Sequence, residues 1–191
     1  DGGSGAGSST TATNADGTKA TVGKPTEEVT LRLGYFPNVT HAPAIVGVED
    51  GLFAESLGDA VTIEPSLFNA GPEAVEALLG GGLDMSYIGP NPAINAFAQT
   101  NGEAIRIVSG ATSGGAFLVV SPDIGGPEDL EGKKLASPQL GGTQDVALRV
   151  WLKENGLETD SSGGGDVAIL PQQNADTLQQ VADVPFRIGH H

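Results

Sequence analysis

The chain has 191 residues, of which 38% are hydrophobic, and this is enough for the packed core of one full domain or of two small lobes. Nine basic residues against 24 acidic ones give a formal net charge of -15 at pH 7, which disfavours nucleic acid and anionic lipid headgroups as partners. The sequence contains no cysteine, so disulfides, thiolate catalysis and thiolate metal sites are excluded.

Residues 1–28 consist mainly of Gly, Ser, Thr, Ala and Asn and carry almost nothing apolar. They cannot bury enough surface to offset the entropy of ordering, so we expect a disordered tether. Such a segment is typical of a cloning linker, and also of the stretch that follows the lipidated cysteine of bacterial surface lipoproteins. We favour the second interpretation, with a lipid anchor before Asp1 as the contact with a membrane.

After residue 28 the sequence alternates between short apolar runs and helical patterns. Strands are predicted at residues 29–35, 61–68, 85–88 and 105–109, with helices at 42–53, 72–79 and 92–100. This order predicts a parallel sheet covered on both faces, in a first lobe over residues 29–111. A second series predicts strands at 116–120, 134–136 and 167–170, with helices at 143–155 and 174–180. It forms a partial second lobe over 112–180, so the fold class is α/β.

Polar and glycine-rich loops occur where predicted strands meet helices. They span residues 34–43, 89–92, 113–115 and 139–144. In an open α/β sheet, ligands bind beyond the carboxyl ends of the strands, so these loops could face one cleft. Asn91 and Thr143 are predicted to cap their helices, and Trp151 is predicted to be a core residue. Several helix N-termini that converge offer amide hydrogens and partial positive charge, which together make an anion site without lysine or arginine.

Three motifs carry a resemblance to a known family. They are LGYFPNVTHAPA at residues 33–44, EDGLF at 49–53 and DMSYIGPNPA at 84–93. In this order they resemble the aliphatic sulfonate, nitrate and taurine binding proteins, and the similarity extends over about residues 29–180. The resemblance implies a periplasmic-binding-protein-like type II fold, in which two α/β lobes close about a hinge over a small ligand. It also implies an extracytoplasmic protein that delivers its ligand to an ABC permease.

The resemblance also implies a set of ligand-binding residues on both sides of the cleft. They are Asn38, Thr40, His41, Asn91, Ser113, Gly115, Gly142, Thr143 and Gln144. Each has a structural alternative, because Asn and Thr commonly form turns and caps, glycine serves backbone turns, and a lone histidine is commonly a hydrogen-bonded structural residue. We expect no catalytic residue, no metal and no cofactor.

Two other functions remain open. One is an enzyme on the same fold, of the pyrimidine-precursor or menaquinone-pathway type, and the other is a surface ligand sensor. The chain lacks a His-Glu-x-x-His helix, a Gly-x-Ser-x-Gly elbow and a Gly-x-x-x-x-Gly-Lys loop, which speaks against the enzyme.

The sequence departs from the family pattern after Gln180. Residues 181–191 form an atypical tail, and we expect a chain that is truncated or altered at this end, with an incomplete second lobe. Deliberate shortening of the chain, a frameshifted gene and a short natural variant would each give this ending. Uncovered sheet edges and apolar faces then follow, and these reduce independent stability.

Overall fold

The computed structural model describes residues 10–13, 19–114, 116–182 and 187–188. The strands are β1 Thr10–Thr13, β2 Lys19–Val22, β3 Val29–Tyr35, β4 Val61–Leu67, β5 Met85–Ser86, β6 Val119–Val120, β7 Lys134–Ser137, β8 Ala168–Pro171 and β9 Arg187–Ile188. The α-helices are α1 Ala42–Glu49, α2 Leu52–Leu57, α3 Gly71–Leu79, α4 Pro90–Gln99, α5 Thr143–Glu154 and α6 Asn174–Ala182. Within these described ranges, we find no helix with the length and apolar character to cross a membrane.

The first sheet contains three parallel strands in the order β4-β3-β5. The strands β3 and β4 pair in register from Val29 opposite Val61 to Tyr35 opposite Leu67. Parallel neighbours require crossover connections, which α1 and α2 supply between these two strands. The carboxyl ends of all three strands therefore lie at one edge, as the predicted βαβα order requires.

The second sheet pairs β7 with β8 in parallel, from Lys134 opposite Ala168 to Ser137 opposite Pro171. Its core cluster consists of five buried apolar side chains, Leu130, Leu152, Leu157, Val167 and Ile169. Trp151 is partly buried and packs against this cluster, which confirms its prediction as a core residue. The two separate parallel sheets agree with the predicted α/β class, while the lobe boundary at residue 111 stays a prediction.

Several predicted elements differ from the structure, and the strands predicted at 85–88 and 116–120 shorten to Met85–Ser86 and Val119–Val120. The helix predicted at 42–53 is interrupted, because Gly51 adopts a left-handed φ of 70° and separates α1 from α2. The strand predicted at 105–109 is wrong, since this segment has no strand partner among the described residues and leaves Ile107 76% exposed. Apolar β-prone residues form a strand only where a neighbouring strand completes the hydrogen bonds.

The ends of the chain also differ from expectation. Thr10–Thr13 pairs antiparallel with Lys19–Val22, so the expected disordered tether of residues 1–28 is wrong at these two strands. Threonine and valine favour β-structure, which the low apolar content of the whole segment concealed. Residues 1–9 and 14–18 lie outside the described residues. In the expected tail of residues 181–191, β9 pairs antiparallel with β6, while 183–186 and 189–191 also lie outside them.

Leu152→Ala is expected to destabilise the chain by about 2 to 5 kcal/mol, because Leu152 is fully buried in the core cluster and its truncation leaves a cavity. Val150→Ala on the same helix is the matched control, since Val150 is 52% exposed and should cost about 0.5 kcal/mol or less. Urea unfolding followed by circular dichroism measures both. Equal losses for the two variants would contradict the assignment of this core.

Candidate functional site

The loop after β3 is shaped by its own side chains. Asn38 has an extended backbone and begins a 3₁₀ turn at Val39–His41, without a side-chain cap. Its Oδ1 instead accepts a hydrogen bond of 2.6 Å from the Thr40 hydroxyl. Both side chains are half-buried. The predicted ligand residues Asn38 and Thr40 thus lie side by side, and their mutual hydrogen bond supports at least a turn-forming role.

His41 is the last residue of the same 3₁₀ turn. It is buried, with a relative exposure of 7%. Its Nδ1 accepts a hydrogen bond of 3.3 Å from the backbone N–H of Phe36, and the two rings lie 4.2 Å apart between centroids. Burial lowers the pKa of His41 below its ordinary value, so the ring is neutral at pH 7. A neutral imidazole that accepts a backbone hydrogen bond fixes the loop.

The segment after α4 returns to the first loop. The Thr112 hydroxyl donates a hydrogen bond of 2.8 Å to the Thr40 carbonyl, which brings the adjacent Ser113 to this region. Ser113 is exposed, and Gly114 adopts a positive φ of 73°. Gly115, also a predicted ligand residue, lies outside the described residues.

The N-termini of α4 and α5 meet at Gly89. A Cβ on Gly89 would overlap the Thr143 hydroxyl, so only glycine permits this approach between the two sheet units. The N-caps are Gly89 and Gly142, and neither makes a side-chain cap hydrogen bond. The predicted caps Asn91 and Thr143 are therefore wrong, because α4 begins two residues before its expected start and Thr143 is the first residue of α5 rather than its cap. Gln144 follows on the exposed side of α5.

Asn69 joins the first sheet to both loops of the second sheet. Its Nδ2 donates a hydrogen bond of 2.8 Å to the Pro138 carbonyl, and its Oδ1 accepts one of 3.3 Å from the Asn174 backbone N–H. Asn69 follows β4, whereas Pro138 follows β7 and Asn174 follows β8. The carboxyl ends of the two sheets consequently face each other across this amide.

Buried polar groups without protein partners collect beside Asn69. Among the described residues, seven buried side chains have a polar atom without a partner, and two of them are the charged Asp145 and Arg149. The other five are neutral and lie at the end of β7 or on the loops and helix starts that follow β7 and β8, and we call them the polar cluster: Ser137, Gln139, Thr143, Gln172 and Asn174. Buried polar atoms are usually hydrogen-bonded, so a concentration of unpartnered ones indicates a place for a ligand or water. Of the polar cluster, the sequence analysis predicted only Thr143 as a ligand residue. The other members lie at or just after the carboxyl end of a strand, and this position could have indicated them, because ligands of open α/β sheets bind there.

Asp145 fixes the loop that precedes α5. Its side chain is nearly fully buried, and Oδ2 accepts hydrogen bonds from the Gly141 N–H at 2.8 Å and from Arg149 Nε at 2.9 Å. Asp145 occupies the first turn of the helix, where a negative charge is favourable. Asp145 thus holds the turn at Gly141, while its Oδ1 and Nη2 of Arg149 are buried without a partner among the described residues.

The other ion pair lies away from the site. Arg32 and Asp84 form two side-chain contacts of 2.6 and 3.0 Å before the start of β5, at the opposite end of that strand from Gly89. The hydrogen bond from Arg32 lowers the pKa of Asp84 to about 2. Asp84 is thus a surface ion-pair residue.

One surface depression borders the polar cluster and another lies apart from it. One of about 530 Å³ runs along β8 and α6 and shares only Gln172 with the polar cluster. The other, of about 250 Å³, is apolar and lies against α4, lined by Ala93, Ile94, Phe97, Ile105 and Ile107. Neither coincides with the junction at Gly89 and Asn69, which geometry and unpartnered polar groups identify as the candidate site.

Two parallel sheets whose carboxyl ends face each other define a periplasmic-binding-protein-like architecture, and solved structures have this fold. The alkanesulfonate-binding protein SsuA from Xanthomonas axonopodis pv. citri, bound to MOPS, matches with a TM-score of 0.59 and 22% identity over 85% of this chain. The nitrate-binding protein NrtA from Synechocystis PCC 6803 matches with a TM-score of 0.51 and 19% identity over 81% of this chain.

The chain belongs to the NMT1-like family, which it matches over residues 24–183. The taurine-binding periplasmic protein of Escherichia coli (strain K12) is 30% identical over 61% of this chain. The bicarbonate-binding protein CmpA of Synechococcus elongatus is 29% identical over 81% of it. The chain spans 35% and 39% of the lengths of these two relatives, and 54% and 44% of the SsuA and NrtA chains.

Gly89→Ala is expected to destabilise the chain by about 1 to 3 kcal/mol, because the new methyl group crowds the Thr143 hydroxyl. The backbone at Gly89 has φ -71° and ψ 160°, which alanine adopts without strain, so crowding is the sole cause. A Gly89→Ala, Thr143→Ala double variant should recover most of the loss in thermal unfolding. Additive losses in this double-mutant cycle would contradict the contact.

The stability contributed by neutral His41 is expected to be present above pH 6.5 and to fall as the pH drops below it. The folded-state pKa is lowered, so the unfolded chain binds the proton more readily. His41→Asn keeps an acceptor for the Phe36 N–H and removes the titration. Urea unfolding between pH 7.5 and pH 5 should therefore show a smaller pH slope for this variant, and an unchanged slope would rule out the neutral buried ring.

Proposed function

We propose that this chain is the ligand-binding part of an extracytoplasmic solute-binding protein that serves an ABC importer. It binds a small anionic or polar solute of the sulfonate, taurine and nitrate class between the two sheet units and presents it to a membrane permease. Family membership and the binding proteins among its relatives support this proposal. The single observation that carries it is the meeting of two helix N-termini at Gly89 and Thr143.

The chemistry of that meeting point suits an anionic solute. The first turn of an α-helix leaves amide hydrogens without intrahelical partners and carries partial positive charge. At this junction α5 presents the N–H groups of its first turn. The helix α4 begins Pro90-Asn91-Pro92, and because proline has no N–H it offers there only the Asn91 N–H and its partial positive charge. The helix α6 begins beside the junction through the Asn69 contact. The hydroxyl of Thr143 adds a donor without a protein partner.

The described ionisable groups favour binding over catalysis. His41 is the one histidine among the described residues, and its Nδ1 is occupied by a backbone hydrogen bond. Asp84 is paired with Arg32, and Oδ2 of Asp145 is paired with Arg149, whereas Oδ1 of Asp145 is buried and has no partner among the described residues. A general acid or base must reach its substrate, and His41, Asp84 and Asp145 each already make a contact that fixes the structure. The proposed function therefore includes no reaction.

A thermal-shift panel of taurine, ethanesulfonate, nitrate, bicarbonate and a neutral pyrimidine tests the proposal. At a concentration 100 times Kd, mass action predicts about 2.7 kcal/mol of stabilisation, or a rise in Tm of about 5 to 10 °C. At least one anion should produce it and be recovered unchanged. A shift with the pyrimidine alone, or conversion of the compound that binds, would refute the proposal.

A further inference from the structure

We propose that this chain forms a weak dimer with a second copy of itself through the apolar side of α4 and the neighbouring residues 105–108. We call this surface the α4 face. The inference is independent of the proposed function, because the α4 face lies apart from the junction at Gly89 and Asn69. It depends on three properties of the face, which are exposed apolar side chains, unpaired backbone groups and the absence of net charge.

Exposed apolar side chains surround one groove on the α4 face. The groove has a volume of about 250 Å³ and is lined by Ala93, Ile94, Phe97, Ile105 and Ile107. Ile94, Phe97 and Ile107 are 62%, 52% and 76% exposed, although side chains of these types are most often buried. Most ligand pockets measure about 300 to 1,000 Å³, so this smaller groove suits one or two protein side chains.

The backbone of residues 105–108 is available to pair with another strand. Among the described residues, none of their N–H groups donates a hydrogen bond, and only the Ile105 carbonyl accepts one, from the Arg106 side chain. A β-prone segment with unpaired backbone groups is a template for strand addition. Antiparallel pairing with the same segment of a second copy, about a two-fold axis, supplies the missing strand partner to both copies at once.

The distribution of charge favours a second copy as the occupant. Residues 87–122 contain one acidic and one basic residue, Glu103 and Arg106, whereas the whole chain has a net charge of -15. Two copies therefore repel each other over most of their surfaces and can approach where this neutral region faces its equivalent. A basic partner would instead be attracted to the acidic remainder of the chain.

The area of the α4 face sets the strength of the dimer. Burial of the exposed parts of Ile94, Phe97, Ile107 and Val108 removes about 400 to 500 Å² of surface per copy from water. The total of about 1,000 Å² lies at the lower limit of specific interfaces, so the dimer is weak and depends on concentration. Because apolar burial acts here against the repulsion of two acidic chains, added salt should strengthen the dimer by screening that repulsion.

Sedimentation velocity at protein concentrations up to about 0.5 mM, the range that a weak interface requires, tests the dimer. The wild-type chain should pass from monomer to dimer as its concentration rises, and more fully at about 500 mM than at about 50 mM NaCl. Ile107→Lys should raise the dimer dissociation constant at least about tenfold, because the two-fold axis brings two such charges into an apolar interface. Val150→Lys is the matched control, since Val150 is 52% exposed on α5 and should leave the dissociation constant unchanged.

Ile107→Pro distinguishes strand pairing from side-chain contact alone. Proline has no N–H, so this variant removes a donor that makes no hydrogen bond among the described residues of the monomer. The dimer dissociation constant should rise about tenfold or more, while the Tm measured at low concentration stays close to that of the wild type. Thermal unfolding of the monomer also checks that Ile107→Lys and Val150→Lys are folded.

The outcomes decide the proposal in the following way. A wild-type chain that stays monomeric over this concentration range at both salt concentrations overturns a second copy as the occupant of the α4 face. A dimer of unchanged strength in Ile107→Lys overturns this face as its interface, and one unchanged in Ile107→Pro overturns the strand pairing. Weaker association at the higher salt concentration contradicts the proposal as well, since ionic contacts would then hold the copies together.

Discussion

The approach of Thr143 to Gly89 is the constraint on which the arrangement of the molecule depends. It brings the N-terminus of α5 against that of α4, and a side chain larger than hydrogen at Gly89 would separate them. Asn69 adds two hydrogen bonds across the same junction. Because parallel strands end at one edge of each sheet, these contacts bring together the loops that follow β4, β5, β7 and β8. The candidate site lies where these four loops come together.

The site differs from a catalytic centre in the state of its polar groups. Carboxylates and the described histidine are engaged in contacts that fix loops, as Asp145 does for Gly141 and His41 does for Phe36. Of the seven buried side-chain polar atoms without a partner among the described residues, five belong to neutral hydroxyls and amides, and the other two are Oδ1 of Asp145 and Nη2 of Arg149. Neutral hydroxyl and amide donors on rigid loops can hold an anion by hydrogen bonds and release it unchanged. The chemistry therefore agrees with the binding proteins among the relatives.

Sequence periodicity predicted most strands and helices, since β3, α3, α5 and β8 lie within two residues of their expected bounds. It failed at residues 105–109, where an apolar run has no described strand to pair with. The family resemblance led to Thr143 at the candidate site, while Ser137, Asn69 and Asn174 were missed; a ligand-binding role for Asn38 and Thr40 stays a prediction. Serine and asparagine are common loop residues, and only three-dimensional packing shows that Ser137 is buried without a partner. Burial of a polar atom has no signature in a single sequence.

The central claim is that the ligand binds where the carboxyl ends of the two sheets meet. A crystal structure of the chain with 2-bromoethanesulfonate, recorded at the bromine absorption edge, tests it directly. We predict one strong anomalous peak within reach of Thr143 and Ser137, with the sulfonate oxygens accepting from the polar cluster. A peak in the depression along β8 and α6, or in the apolar groove against α4, would contradict the account.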